Sequence, residues 1–140
     1  MTGAEALARA VAAEQQVIYG YGVAGAHLTG PQLGAALAAL DVHRIRRDTL
    51  MQLLSAAGGR APVEAPAYAL PFAVTTPSTA RALCALLEDG CAGAAWDLTA
   101  ATAAHSPTRS LAVTWLGDSA VRAAQWRGRG AALPALPGRP

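Results

Sequence analysis

Glu14, Arg44, Arg47 and Glu88 each fall on the apolar stripe of a long helical segment, at positions where a plain helix bundle carries leucine. Taking a charge out of water is costly, so buried ionic side chains are paired with opposite charge or bound to a metal ion. Two chemistries follow. Carboxylates converging at one level of a bundle can hold divalent cations. Guanidinium groups facing the same carboxylates form bidentate ion pairs and need no metal. Asp48, four residues after Arg44, adds an intrahelical partner for the second arrangement. For the first, His43 with Glu14, Glu88 and Asp118 makes an irregular metal set. Asp41 cannot join His43, because residues two apart on a helix point about 200° apart. The plainer reading of His43 is a partly buried or interfacial imidazole.

Other reactive groups carry less. Cys84 and Cys91 are seven apart on one helix, so their Cα atoms are about 10 Å apart, beyond the ~7 Å that a disulfide spans. They read as small buried thiols. The serines lack the strand-to-helix elbow of a hydrolase nucleophile. Gly20-Tyr21-Gly22 has no preceding strand and is no phosphate loop. No catalytic residue is identified.

Four helical segments must position the charges. The first is predicted from about Thr2 to Leu28. Thr2 with Glu5 forms a capping box, and Leu7, Val11, Glu14, Ile18, Tyr21 and Leu28 share one face. Gly20, Gly22 and Gly25 weaken it by roughly 1 kcal/mol each, which suggests close approach of a neighbour. After Thr29-Gly30-Pro31 a second helix reaches about Ala57 and stops at Gly58-Gly59, with Leu33, Leu37, Leu40, Arg44, Arg47, Met51 and Leu54 as its face. Residues 59–76 form a long Pro- and Ala-rich connection. Fully extended it reaches ~60 Å, more than the ~40 Å of the preceding helix, so it can return along the bundle and set the third helix parallel to the second. Thr76-Pro77 restarts the helix, which runs to about Ala104. A fourth follows from Pro107 to Trp126 behind Ser106. Its buried side is ambiguous between Leu111, Trp115, Asp118, Arg122 and Val113, Leu116, Ala120, Ala124. The expected organisation is one all-α domain over residues 1–127 and a poorly ordered tail over 128–140.

Composition narrows the partners. All 11 basic residues of the 140 are arginine, the net charge is only +2, and no basic stripe with interleaved aromatics appears. No nucleic-acid surface is expected. No apolar run approaches the ~18 residues of a membrane span, and the N-terminus lacks the order of a secretion signal. A cytoplasmic protein is expected. Apolar outer faces point to a homodimer packed on helices 1 and 2.

Long–short–long, crossover, long–short–shorter is the layout of the ferritin-like antiparallel four-helix bundle. The segments Ala13-Glu14-Gln15-Gln16-Val17-Ile18-Tyr19-Gly20-Tyr21-Gly22, Val42-His43-Arg44-Ile45-Arg46-Arg47-Asp48 and Ala65-Pro66-Ala67-Tyr68-Ala69-Leu70-Pro71-Phe72 resemble a family of small actinobacterial ferritin-like domains of unassigned function. The similarity covers nearly the whole chain apart from the extreme tail. The di-metal form of that fold takes one Glu from each of two helices and a Glu-x-x-His pair from each of the others. Glu14 matches the first-helix carboxylate and Glu88 the third. The second helix departs, with Arg44 and Arg47 where Glu and His would stand. The fourth offers Asp118 with Val121 three residues on and no histidine. The resemblance therefore implies a bundle whose di-metal centre is replaced by an Arg–carboxylate network of Glu14, Arg44, Arg47, Asp48 and Glu88, without a cofactor. Iron or manganese at an atypical site is the alternative, and a small-molecule binder under the Tyr68–Phe72 crossover is a third. The leading expectation is a non-catalytic oligomeric or partner-binding module.

Overall fold

The computed structural model describes residues 1–134 and 136–139. Four α-helices account for it: α1 Gly3–Gly25, α2 Gly30–Ala56, α3 Pro77–Ala101 and α4 Pro107–Arg127. Their starts follow local chemistry. Thr2 and Glu5 make the reciprocal capping box of α1, and Thr76 with Thr79 makes the equivalent on α3. The Ser106 hydroxyl accepts from the Arg109 amide at α4. Pro31, Pro77 and Pro107 occupy first turns, where no amide hydrogen is missed.

Gly3 lies against Ala101, Gly20 against Leu87, and the Cys91 thiol faces the Ala13 carbonyl. Helices α1 and α3 are therefore antiparallel. Because α1 also pairs with α2 across a short turn, α2 and α3 run in the same direction, and residues 57–76 make the long return between them. The return is tied to α1: Gln15 Nε2 donates to the Pro62 carbonyl at 3.0 Å, and the Tyr68 ring lies 5.7 Å from that of Tyr19. Of Gly20, Gly22 and Gly25, Gly20 carries the close helix approach, since a Cβ there would overlap Leu87 whereas one at Gly22 would meet nothing.

The second pair is looser on one side. Helix α3 packs on α4, but no Cα of α2 lies within 8 Å of one of α4. Side chains bridge that side, leaving a groove along it. After α4 the chain folds back against α3, with the Trp96 indole donating to the Pro137 carbonyl at 2.8 Å and Arg139 pairing with Asp97.

Two apolar clusters fill the interior. One holds Val17, Tyr21, Leu28, Cys84 and Trp126; the other holds Leu7, Val11, Leu50, Leu54 and Leu98. Burial of this kind is worth roughly 25 cal/mol per Å². Between the two lies a polar layer, to which all four helices contribute.

Candidate functional site

The polar layer is built around Glu88, whose side chain is fully buried. His43 is equally buried and bridges two carboxyl groups, with Nδ1 2.5 Å from Glu14 Oε2 and Nε2 2.9 Å from Glu88 Oε1. Tyr21 donates its hydroxyl proton to Glu88 Oε1 at 2.6 Å, and in turn accepts from the Trp126 indole at 2.8 Å. Arg122 Nη1 reaches both Glu88 oxygens, at 3.2 and 3.1 Å. Beside this, Arg46 is buried and donates to Ser119 Oγ and Asp118 Oδ2, with its guanidinium 5.3 Å from the centre of the Trp115 ring. No buried side-chain nitrogen or oxygen lacks a partner among the described residues.

Each helix supplies its part through spacing. Tyr21 follows Glu14 by seven positions on α1, and Arg46 follows His43 by three on α2. On α4, Ser119, Arg122 and Trp126 recur at three and four. Such residues share a helix face.

The electrostatics follow from burial opposed by charge. Desolvation alone would push His43 down, but the hydrogen bonds and charges of Glu14 and Glu88 outweigh it and hold its pKa above the ordinary value. Glu88 is likewise penalised by burial, yet His43, Arg122 and Tyr21 together hold it below the usual carboxylate range. Tyr21 is pushed up by burial and then by the Glu88 charge. Burial and Glu88 raise Cys84 to about 12, and burial with the Glu14 and Glu88 charges raises Cys91 well above an ordinary thiol. Such burial disfavours the thiolate at both positions, and both cysteines are free.

Glu14 and Glu88 lie in the core, as expected. The two expected arginines do not. Arg44 is exposed and pairs with Asp41, while Arg47 lies at the surface with Asp48 and Glu64. Asp48 is exposed and contributes nothing to the centre, and Asp118 is half exposed, reaching inward only to Arg46. The stripe of α2 is rotated by about one residue from the leucine pattern. Its buried positions are Ala36, Ala39, His43, Arg46, Leu50 and Leu54, leaving Leu37, Ile45 and Met51 to solvent. Ala36 and Ala39 are buried in one cluster with Val17, Tyr21 and Ala24 of α1. Hence the nitrogen groups facing the carboxylates are the His43 imidazole and the Arg122 guanidinium. On α4 the buried line is Ala112, Ser119, Ala123 and Trp126. Trp126 is an internal hydrogen-bond donor and only 8 % exposed.

The donor set does not fit a two-cation centre. Two carboxyl groups and one imidazole are present, and the guanidinium groups of Arg122 and Arg46 have no lone pair to offer. A single ion has a better case, because donor atoms of Glu14, His43 and Cys91 lie within 4.8 Å of one another. A small void of about 10 Å³ adjoins Glu14 and Cys91, but Arg46 also lines it. Larger cavities lie outside the core, among them one of about 370 Å³ under the crossover, bounded by Ala13, Gln16, Leu70, Pro71 and Leu87, and one of about 480 Å³ that is the groove between α2 and α4.

Comparison with known proteins gives a family and no activity. A family model described as a domain of unknown function, DUF4439, matches residues 6–140. The fold is similar to the crystal structure of a conserved hypothetical protein, Rv2844, from Mycobacterium tuberculosis. That likeness has a TM-score of 0.83 at 35% identity, over 89% of this chain and 93% of that one. No curated protein matches significantly. Among the described residues no helix is long and apolar enough to cross a membrane.

Proposed function

The chain belongs to the DUF4439 family, and from that premise we propose that it is a non-catalytic ferritin-like bundle, acting by binding, in which an organic ion cluster takes the place of a di-metal centre. The observation that carries this is the environment of Glu88. Tyr21, His43 and Arg122 all donate to its carboxylate, and His43 continues to Glu14. A doubly protonated imidazole and a guanidinium supply two positive charges against two carboxyl groups, the role that metal ions play in the di-metal form. The cations differ from those the leucine pattern suggested, but the exchange of metal for organic charge is the same. No group in the layer is both exposed and activated for chemistry, which supports a binding module over an enzyme.

Metal analysis of protein purified without a chelating column tests the reading. The expected result is less than a tenth of an equivalent of any transition metal per chain. Two stoichiometric iron or manganese ions would refute it. The second reading, a single ion on Glu14, His43 and Cys91, is favoured by their convergence and expects one equivalent, lost on Cys91→Ala. Leu37, Ile45 and Met51 stand exposed on α2, which supports a homodimer packed on helices 1 and 2. Light scattering at micromolar concentration is expected to give twice the chain mass, and a strict monomer would exclude that assembly.

A further inference from the structure

The groove between α2 and α4 combines an apolar wall with positive charge. Ala35, Ala38, Ala39 and Val42 form one side and the Trp126 ring the other, and Arg81 and Arg122 face the same space. No acidic residue lines it. Arg81 forms no ion pair among the described residues, its guanidinium reaching only the Gln32 side-chain oxygen at 3.4 Å. Arg122 uses Nη1 alone on Glu88. The opening exists because α2 and α4 are held apart along this side, bridged lower down by Arg46. At about 480 Å³ it falls within the range of small-molecule sites, which are mostly apolar with a few placed polar groups. The cavity under the crossover has no charged lining residue and offers no such selectivity.

We infer that this groove is a binding site for a small monocarboxylate with an apolar body. The carboxylate pairs with Arg81 and the unengaged edge of Arg122, while the hydrocarbon or aryl portion lies on the alanine wall and the Trp126 ring. Arginine suits the head group, because its planar fork matches a carboxylate bidentately. The alanines of α2 make a shallow channel in which a narrow chain fits. The site adjoins the buried cluster and shares Arg122 and Trp126 with it, but takes nothing from Glu14, His43 or Cys91. A metal found among Glu14, His43 and Cys91 would overturn the reading of the cluster and leave this one standing, and failure of binding here would leave the cluster untouched.

Calorimetric titration of the full chain with decanoate, decanol and acetate tests the inference. Decanoate is expected to bind one to one, at least about tenfold tighter than decanol, as a charge-assisted hydrogen bond implies. Acetate, lacking the apolar body, gives no measurable heat at the same concentrations. Arg81→Gln, at a partly exposed position, is expected to bring decanoate to the level of decanol. Ala38→Trp fills the channel and abolishes both, with the helical circular dichroism spectrum unchanged. Equal affinities for decanoate and decanol, an unaltered decanoate affinity in Arg81→Gln, or no binding below millimolar decanoate would each overturn it.

Discussion

Replacing Glu88 by glutamine keeps the volume of a fully buried side chain and removes its charge. The consequences can be followed atom by atom. One amide oxygen can still accept from Tyr21 and His43, but the amide NH₂ then points at Arg122 Nη1, donor against donor. His43 keeps Glu14 alone as a counter-charge, and the Arg122 guanidinium loses its carboxylate. Removing one partner of a buried ion pair typically costs about 3–5 kcal/mol, because the remaining charge is stranded. Unfolding entropy near the melting point is about 2.1 cal/mol/K per residue. Over 140 residues that gives about 0.3 kcal/mol/K, so the midpoint is expected to fall by about 10–17 °C. Thermal unfolding followed by circular dichroism, with calorimetry for the enthalpy, measures it. The double variant Glu88→Gln/Arg122→Met removes the donor conflict and is expected to regain part of the loss, since residues in one network couple by about 0.5–3 kcal/mol. A drop below about 3 °C for Glu88→Gln would mean that the layer is hydrated and mobile, and the argument for a fixed ion cluster would fail.

Further expectations concern pH, surface charge and backbone. His43 has a raised pKa in the folded chain, so its contribution is complete below its ordinary 6.5 and is lost as pH rises through the raised value. Glu88 has a lowered pKa, so its contribution is present above its ordinary 4.5 and is lost as pH falls through the lowered value. Urea midpoints from these two groups should therefore be highest between pH 4.5 and 6.5, and a profile rising steadily to pH 9 would contradict the imidazolium. Arg44→Ala and Arg47→Leu should each cost under about 1 kcal/mol, as for exposed pairs. Arg46→Ala should cost about 2–4 kcal/mol, because its stem and guanidinium are packed in the core; equal costs at all three positions in urea titrations would place the stripe of α2 wrongly. Gly22→Ala should stabilise by up to about 1 kcal/mol, since a Cβ there meets nothing. Gly20→Val should destabilise by about 1–3 kcal/mol by displacing Leu87, and the reverse order of melting points would show that α1 and α3 do not meet at Gly20.

Helix boundaries were legible because capping is local chemistry. Thr2 with Glu5, Thr76 with Pro77, and Ser106 with Pro107 each announce a start within four residues. The long return after α2 was legible from length alone. Glu14 and Glu88 were legible because each lies on a stripe with apolar neighbours that stay inside. Helix α2 was harder. Its two periodic patterns, Leu33-Leu37-Leu40-Arg44-Arg47 and Ala36-Ala39-His43-Arg46-Leu50, differ by about one residue, and hydrophobicity favours the wrong one. What decides is packing against the neighbouring helices, a tertiary quantity that the hydrophobicity of α2 does not carry. The second pattern was present as His43 and Arg46 three apart, below alanines at the same phase. Arg122 carries no local mark of its role; only Trp126 four residues later, polar at one edge and otherwise apolar, hinted at which side of α4 turns inward.

Alanine-rich helices resemble themselves from one turn to the next, and sliding such a helix along its neighbour by about 5.4 Å exchanges one methyl contact for another at little cost. The band of charge between the two apolar clusters breaks that degeneracy. A one-turn slip of α2 would withdraw the imidazole from both carboxylates at once, and a slip of α4 would do the same to Arg122. The band thereby acts as an index mark, setting how far each rod is pushed into the bundle. An all-leucine replacement of Glu14, His43, Glu88 and Arg122 could thus melt higher while populating several helix alignments, a distinction that amide NMR line shapes would reveal and a melting curve would hide.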